Sequence, residues 1–362
     1  MNDLLNKFDP WLEDTGPAAL VVREHLISVE GPDGVIFPPT FAASQDGTFE
    51  GGYNVDDLPD GSNVCLIDSV GSQANRIEPS FAKAEYAALV PQIVVKAGEK
   101  SVNLLEAGHR AGDAIVRCSA LQEDLQKAFK AVLNGDAGPL AKIAPTSLVF
   151  GAWDSRDTQA KLPRLIASAI RAFNVRKLTR SAQYVPAAEY MNLQLLDEPP
   201  DKKTKDAYAE RGFVHVPASG TPGGVIVTGG IRRDASLHLA ALHLLTAGED
   251  ESKTLALRRY ILGLALTAFT HLPSGYLRQG CNLVLDPDKP HEFVEVYGDG
   301  RRAPAKTTHD EALKYARAAA NHFGVGENRT VEFDKERAKR DVAGETGNGE
   351  RKARKSRSKP AE

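Results

Sequence analysis

Apolar and polar positions along the 362-residue chain change period several times, and the changes mark out elements. Residues 18–30 (AALVVREHLISVE) alternate imperfectly and are rich in β-branched side chains, which predicts a strand. Residues 31–61 are crowded with Gly, Pro and Asp and are too long for a turn; loops of this length usually have a role or are disordered. Residues 65–68 read as a short buried strand, 71–89 have helical composition interrupted by Pro79, and 92–96 (QIVVK) are again strand-like. Across 111–133 the apolar residues Ile115, Leu121, Leu125, Phe129, Val132 and Leu133 fall at helical spacing, closed by Asn134-Gly135. Residues 147–150 predict a strand. Residues 165–186 are ambiguous between strand and helix, and the alternation in SAIRAF favours strand. A charged loop at 198–207 precedes a strand at 221–231 bracketed by glycine pairs. Residues 237–245, 253–270 and 311–323 predict helices, and 281–285 with 292–297 predict a strand pair across the turn DPDKP. Strands and helices mix without regular βαβ spacing, so the fold class expected is α+β. Residues 1–17 read as a polar lead-in, 18–330 as the folded body and 331–362 as a disordered basic tail.

Composition narrows this further. With 42% hydrophobic and 26% charged residues, a core of ordinary size is available without a metal or disulfide staple. Cys65, Cys118 and Cys281 are far apart and form no CxxC pair, which points to a reducing compartment. The acidic N-terminus lacks the basic-then-apolar pattern of a secretory signal, and the most apolar run, 260–270, is about half the ~20 residues of a membrane span. The expected location is the cytoplasm, with no membrane contact. Net charge is −3, but residues 335–362 hold ten Lys/Arg against five Asp/Glu, so the body carries −8. A mildly acidic protein still holds nucleic acid if its cations line one groove.

Four runs carry candidate chemistry. Asp68–Arg76 (DSVGSQANR) strings Ser69, Ser72, Gln73, Asn75 and Arg76 around a glycine where a strand hands over to a helix. Such groups bond phosphate, 2′-hydroxyl or base edges, although an N-cap with a solvated first turn has the same composition. In GHRAGD, His109 and Arg110 precede a helix carrying Arg117; a capped helix start is the plainer account of His109 and Asp113. From Trp153 through Ser155, Arg156, Lys161, Arg164, Arg171, Arg176, Lys177 and Arg180 to Tyr184, cations recur between two aromatic rings, as a single-strand groove requires. Finally, Arg232 and Arg233 follow a glycine pair, and Arg278 lies in the run SGYLRQG, where small residues permit close approach to a polyanion. There is no GxxxxGK[ST], HExxH or Gly-x-Ser-x-Gly, so no cofactor, metal site or catalytic centre is expected.

The runs DSVGSQANRIEP, AGHRAGDAIVR and FGAWDSRDTQAKLPR, with VEGPDGVIFPPTFA, resemble the backbone-forming RAMP-superfamily protein of type I-G (formerly I-U) CRISPR systems. The resemblance covers residues 18–324 and leaves out the tail. It implies an RRM-like, ferredoxin-type palm with thumb and finger insertions, and copies stacked head to tail along the CRISPR guide RNA. It also implies pairing of the guide with a target DNA strand, company with the other subunits of the effector complex, and a recruited helicase-nuclease. No run of the RNP type occurs, so contact with RNA is expected through phosphate and sugar rather than sheet aromatics. The alternative is an endoribonuclease of the same superfamily, with His109, Asp113, Asp154 and Asp157 as its candidates. A nucleic-acid-free assembly protein would leave the Arg76 and Arg156 regions without a purpose.

Overall fold

In the computed structural model, which describes residues 2–271 and 275–343, the first alternating run is a two-faced strand. β1 (Ala19–Ser28) buries Leu20, Val22, Glu24, Leu26 and Ser28 and turns the intervening residues outward. It is followed by β2 (Asn63–Asp68), α1 (Val70–Ile77), α2 (Gln122–Leu133) and β3 (Ile166–Phe173). A long antiparallel arm comes next, β4 (Val175–Tyr184) with β5 (Val216–Val227), and then β6 (Ile231–His238). The chain closes with α3 (Glu251–Thr270), β7 (Cys281–Leu285), β8 (Glu292–Val296), α4 (His309–Phe323) and α5 (Lys335–Ala343).

β1 pairs β6 on one side and both β7 and β8 on the other; β6 pairs β3, and β3 pairs β2, every pair antiparallel. The central order β7/β8–β1–β6–β3 is the 4-1-3-2 order of a βαββαβ unit, with helices between its first and second and its third and fourth strands. The molecule is therefore α+β with an RRM-like sheet, widened to nine strands. The arm is inserted between the second and third strands of the unit.

Residues on the inner face form two apolar clusters. α3 and α4 cover Leu20, Val22, Ile166, Ala235 and Leu237, and α3 is buried almost all round from Leu257 to Phe269. That burial explains why the most apolar run of the chain is a core helix; no helix among the described residues is long and apolar enough to cross a membrane. A side chain at Gly263 would lie 2.8 Å from Ala316 Cα, so α3 and α4 approach backbone to backbone there. The second cluster gathers Leu26, Ile67, Ile170, Ala172 and Ile231 with Ile36 and Tyr53 of the long Gly/Pro-rich loop, which serves as its lid. Between the clusters runs a buried polar seam: Glu24 ion-paired to Arg233, then Ser168, Gln73 and Asp68.

Several elements depart from expectation. Residues Thr146–Phe150 are a fully buried helical turn rather than a strand. The 111–133 helix is broken into a 3-10 turn (Arg110–Gly112), a helical turn (Ala114–Arg117) and α2. The 71–89 helix stops at Ile77 and passes into 3-10 turns, because Pro79 follows. The predicted helix at 237–245 shrinks to Leu239–Leu242, its first residues completing β6. β7 and β8 do not pair with each other; both lie against β1, β7 at Leu26–Ser28 and β8 at Ala19–Arg23. The lead-in is not solvated: Leu5, Phe8, Trp11 and Leu12 enter the larger core, and Phe8 meets Tyr315 edge-on at 4.9 Å. The first part of the tail is helix α5, held by Arg117–Asp341 at 2.6 Å and by Arg337 on the Ser119 carbonyl; residues 344–362 lie outside the described ones.

Candidate nucleic-acid interface

The loop of residues 151–164 is built around Asp154. Its carboxylate is 3% exposed and accepts from Asp157 N (3.3 Å), Thr158 N (2.8 Å) and Thr158 Oγ1 (2.6 Å). Trp153 and Lys161 bridge the base of the loop, and Asp154 N donates to the Ala160 carbonyl. A loop tied from inside presents its outer side chains at fixed positions. Trp153 is 57% exposed with Lys161 Nζ 5.9 Å from its ring centre, Arg156 and Arg164 are exposed, and Ser155 is half-buried. None of Arg156, Lys161 and Arg164 faces a carboxylate at ion-pair distance among the described residues. Of the candidates for the nuclease alternative, Asp154 holds the loop and Asp157 accepts from Gln122 of α2 at 3.2 Å.

Two other runs converge on this loop. The α1 run starts with Ser69, whose Oγ accepts from Ser72 N at 3.2 Å, and an Arg164 amino group lies 4.0 Å from where a side chain on Gly71 would begin. The third run meets both. Arg110 donates to the Gly151 carbonyl (3.2 Å) and to Asn75 Oδ1 (3.3 Å), and Gly112 packs against the Trp153 carbonyl. Asn75 and Arg76 are exposed, and His109, 85% exposed on its side chain, faces Asp113 at 3.5 Å. Arg278 reaches the same region from the far half of the chain by way of Asp68, 3.2 Å away; Ser274 of its run lies outside the described residues.

Not every predicted contact is available. Arg110 is 3% exposed, ion-paired to Glu78 at 2.6 Å, and holds the three runs together from beneath. Burial pushes the Glu78 carboxyl up to about 7, against the pull of Arg110. Arg117 is turned inward to Asp341 and Arg233 to Glu24, and Gln73 is 1% exposed within the seam. These four are structural rather than contacts, because each buried charge or amide already has a protein partner. Arg232, half-buried, pairs with Asp234 at 2.9 Å and sits over Phe173.

Arg176, Lys177 and Arg180 form a separate group, exposed along β4 with no carboxylate partner among the described residues. Strand alternation sends Arg176 and Arg180 to one side of the arm and Lys177 to the other. Arg171 stands opposite Arg232 on the outward face of the sheet, as the alternation in SAIRAF allows. The three cysteines are free and buried, and burial pushes the Cys65 and Cys281 thiols up to about 11.

The surface thus brings together hydroxyls, amides, unpaired guanidiniums and one tryptophan, the groups that hold a sugar–phosphate chain. None of the curated proteins compared with this chain matches it. Residues 20–177, which span β1, β2, α1, the converging runs and β3, match the family model of CRISPR-associated protein GSU0053. Over those residues, which hold the greater part of the surface just described, the chain is similar to the CRISPR-associated protein GSU0053 family.

Proposed function

We propose that the chain is a non-catalytic, guide-RNA-binding backbone subunit of a type I-G CRISPR effector complex, polymerising head to tail along the guide in the cytoplasm. The observation that carries this reading is the 151–164 loop, where Trp153, Arg156, Lys161 and Arg164 stand exposed on a backbone locked by Asp154, the three cations with no carboxylate at ion-pair distance among the described residues. A subunit that must accept every spacer gains nothing from base readout, and guanidinium forks suit phosphate. In this reading the β4–β5 arm is the thumb. The filament offers the guide to a target DNA strand, and the other subunits and a helicase-nuclease act upon it. The experiment is incubation of the purified protein with labelled CRISPR RNA and complementary RNA or DNA, with Mg²⁺ or Mn²⁺. Expected are slow-migrating complexes that grow in steps with protein concentration and strands that stay intact. Cleavage abolished by Asp154→Ala or His109→Ala would instead establish a nuclease, and absence of any complex would sink the RNA-binding reading.

A further inference from the structure

Asp68 ends β2 with its side chain fully buried, yet two arginines from opposite halves of the chain converge on it. Its Oδ2 accepts from Gln73 Nε2 at 2.6 Å and from Arg76 Nε at 3.0 Å. Its Oδ1 takes an Arg278 amino group at 3.2 Å, and the other Arg278 amino group donates to the Ile67 carbonyl at 2.9 Å. Gln73 is itself fixed by Ser168, whose hydroxyl donates to Gln73 Oε1 at 3.0 Å. The carboxylate is thus clamped from the protein side, and both guanidiniums are clamped to the carboxylate.

One carboxylate neutralises one cation, so the cluster keeps a surplus positive charge. It keeps surplus donors as well: Arg76 is bound only through Nε, leaving both terminal amino groups without a partner among the described residues. Arg278 has each amino group engaged once, on Asp68 and on the Ile67 carbonyl, and the Arg76 and Arg278 side chains remain 36% and 24% exposed. The two guanidiniums share one carboxylate, Arg76 on one oxygen and Arg278 on the other. They form a preset fork for a tetrahedral oxyanion. We infer that Arg76 and Arg278 together bind one phosphodiester of single-stranded RNA and that Asp68, which never touches it, is the positioning residue that aims both.

This inference rests on the RNA-binding reading and makes a prediction of unusual sign. Asp68→Asn removes a negative charge next to a polyanion site, so electrostatics alone would tighten binding. If Asp68 positions the fork, the same change weakens it, because neutral Asn accepts weakly and offers an N–H that repels a guanidinium.

The test is a salt titration of wild type, Asp68→Asn, Arg76→Lys and Arg278→Lys on one CRISPR RNA, with thermal unfolding in parallel. Expected is a loss of roughly tenfold for Asp68→Asn near 0.1 M salt, of the order of one charge-assisted bond, and a slope of log K on log salt lower by roughly 0.7, one phosphate contact. The lysine variants keep the charge and lose the fork, so each should weaken binding at temperatures where the protein remains folded. Binding by Asp68→Asn equal to or tighter than wild type overturns the inference. Should Asp68→Asn fail to fold, lysine variants that bind like wild type overturn it instead. Failure of the wild type to bind would condemn the functional reading as well, whereas normal wild-type binding with indifferent variants condemns this inference alone.

Discussion

Replacing Arg233 by Ala strands Glu24 in the seam, where the carboxylate is 4% exposed and its remaining neighbour, His291, is 3.5 Å away. The expected cost is about 3–5 kcal/mol in urea unfolding. Arg156→Ala should change stability by no more than about 0.5 kcal/mol and lower the salt slope of RNA binding by roughly 0.7, equally for guides of unrelated sequence. Glu78 gives a pH signature. Its carboxyl is raised to about 7 in the folded protein from an ordinary 4.5, so folding favours the protonated form. That contribution is fully present below the unfolded value and is lost as pH rises through about 7. Between about pH 5 and pH 8 the wild type should lose stability relative to Glu78→Gln by on the order of 1–3 kcal/mol, measured by chemical denaturation at each pH. Residue types in the sequence showed which groups suit RNA but not which were already engaged. Arg233 and Arg117 look as free as Arg156 until Glu24 and Asp341 arrive from 209 and 224 residues away.

At the scale of elements, the contact of α3 with α4 depends on Gly263. Gly263→Leu should force the helices apart at Ala316 and destabilise the fold by about 1–3 kcal/mol while leaving the exposed 151–164 loop chemically intact. The outcome to look for is a lowered unfolding midpoint with RNA affinity preserved at low temperature. Elements with a clear period were legible: β1, α3 and α4 stand where alternation or helical spacing put them, and the ambiguous run 165–186 is strand, as SAIRAF favoured, but in two pieces, β3 and β4. Residues 146–150 were not, because a short run buried on all sides has no polar face to reveal its period. The lead-in did carry a signal, since Leu5, Phe8, Trp11 and Leu12 fall at helical spacing; its charged residues concealed it.

For the molecule as a whole, strand order was the least legible feature. β7 and β8 follow each other closely, yet β1 is long enough to accept them end to end, so neither needs the other. The arm presents the converse case. It leaves β3 and returns to β6 where those strands are already paired, Ala172 opposite Ile231. Closing that gap with a short turn in place of 175–227 costs little loop entropy. The shortened protein should unfold cooperatively and still bind RNA through the 151–164 loop, while stepwise assembly on the guide, followed by native electrophoresis, should be impaired.

The polar seam between the two apolar clusters also sets how the molecule breathes. Apolar contacts carry cooperativity, and a row of buried polar groups interrupts them, so the lid that carries Ile36 and Tyr53 can detach without loosening α3 and α4. In native-state hydrogen exchange the amides of α3 should be the last to exchange. Those of β2, including the strand end that carries Asp68, should exchange through an earlier sub-global opening. RNA held by Arg76 and Arg278 would then slow exchange in β2 selectively, so guide binding would be visible as protection of a buried strand.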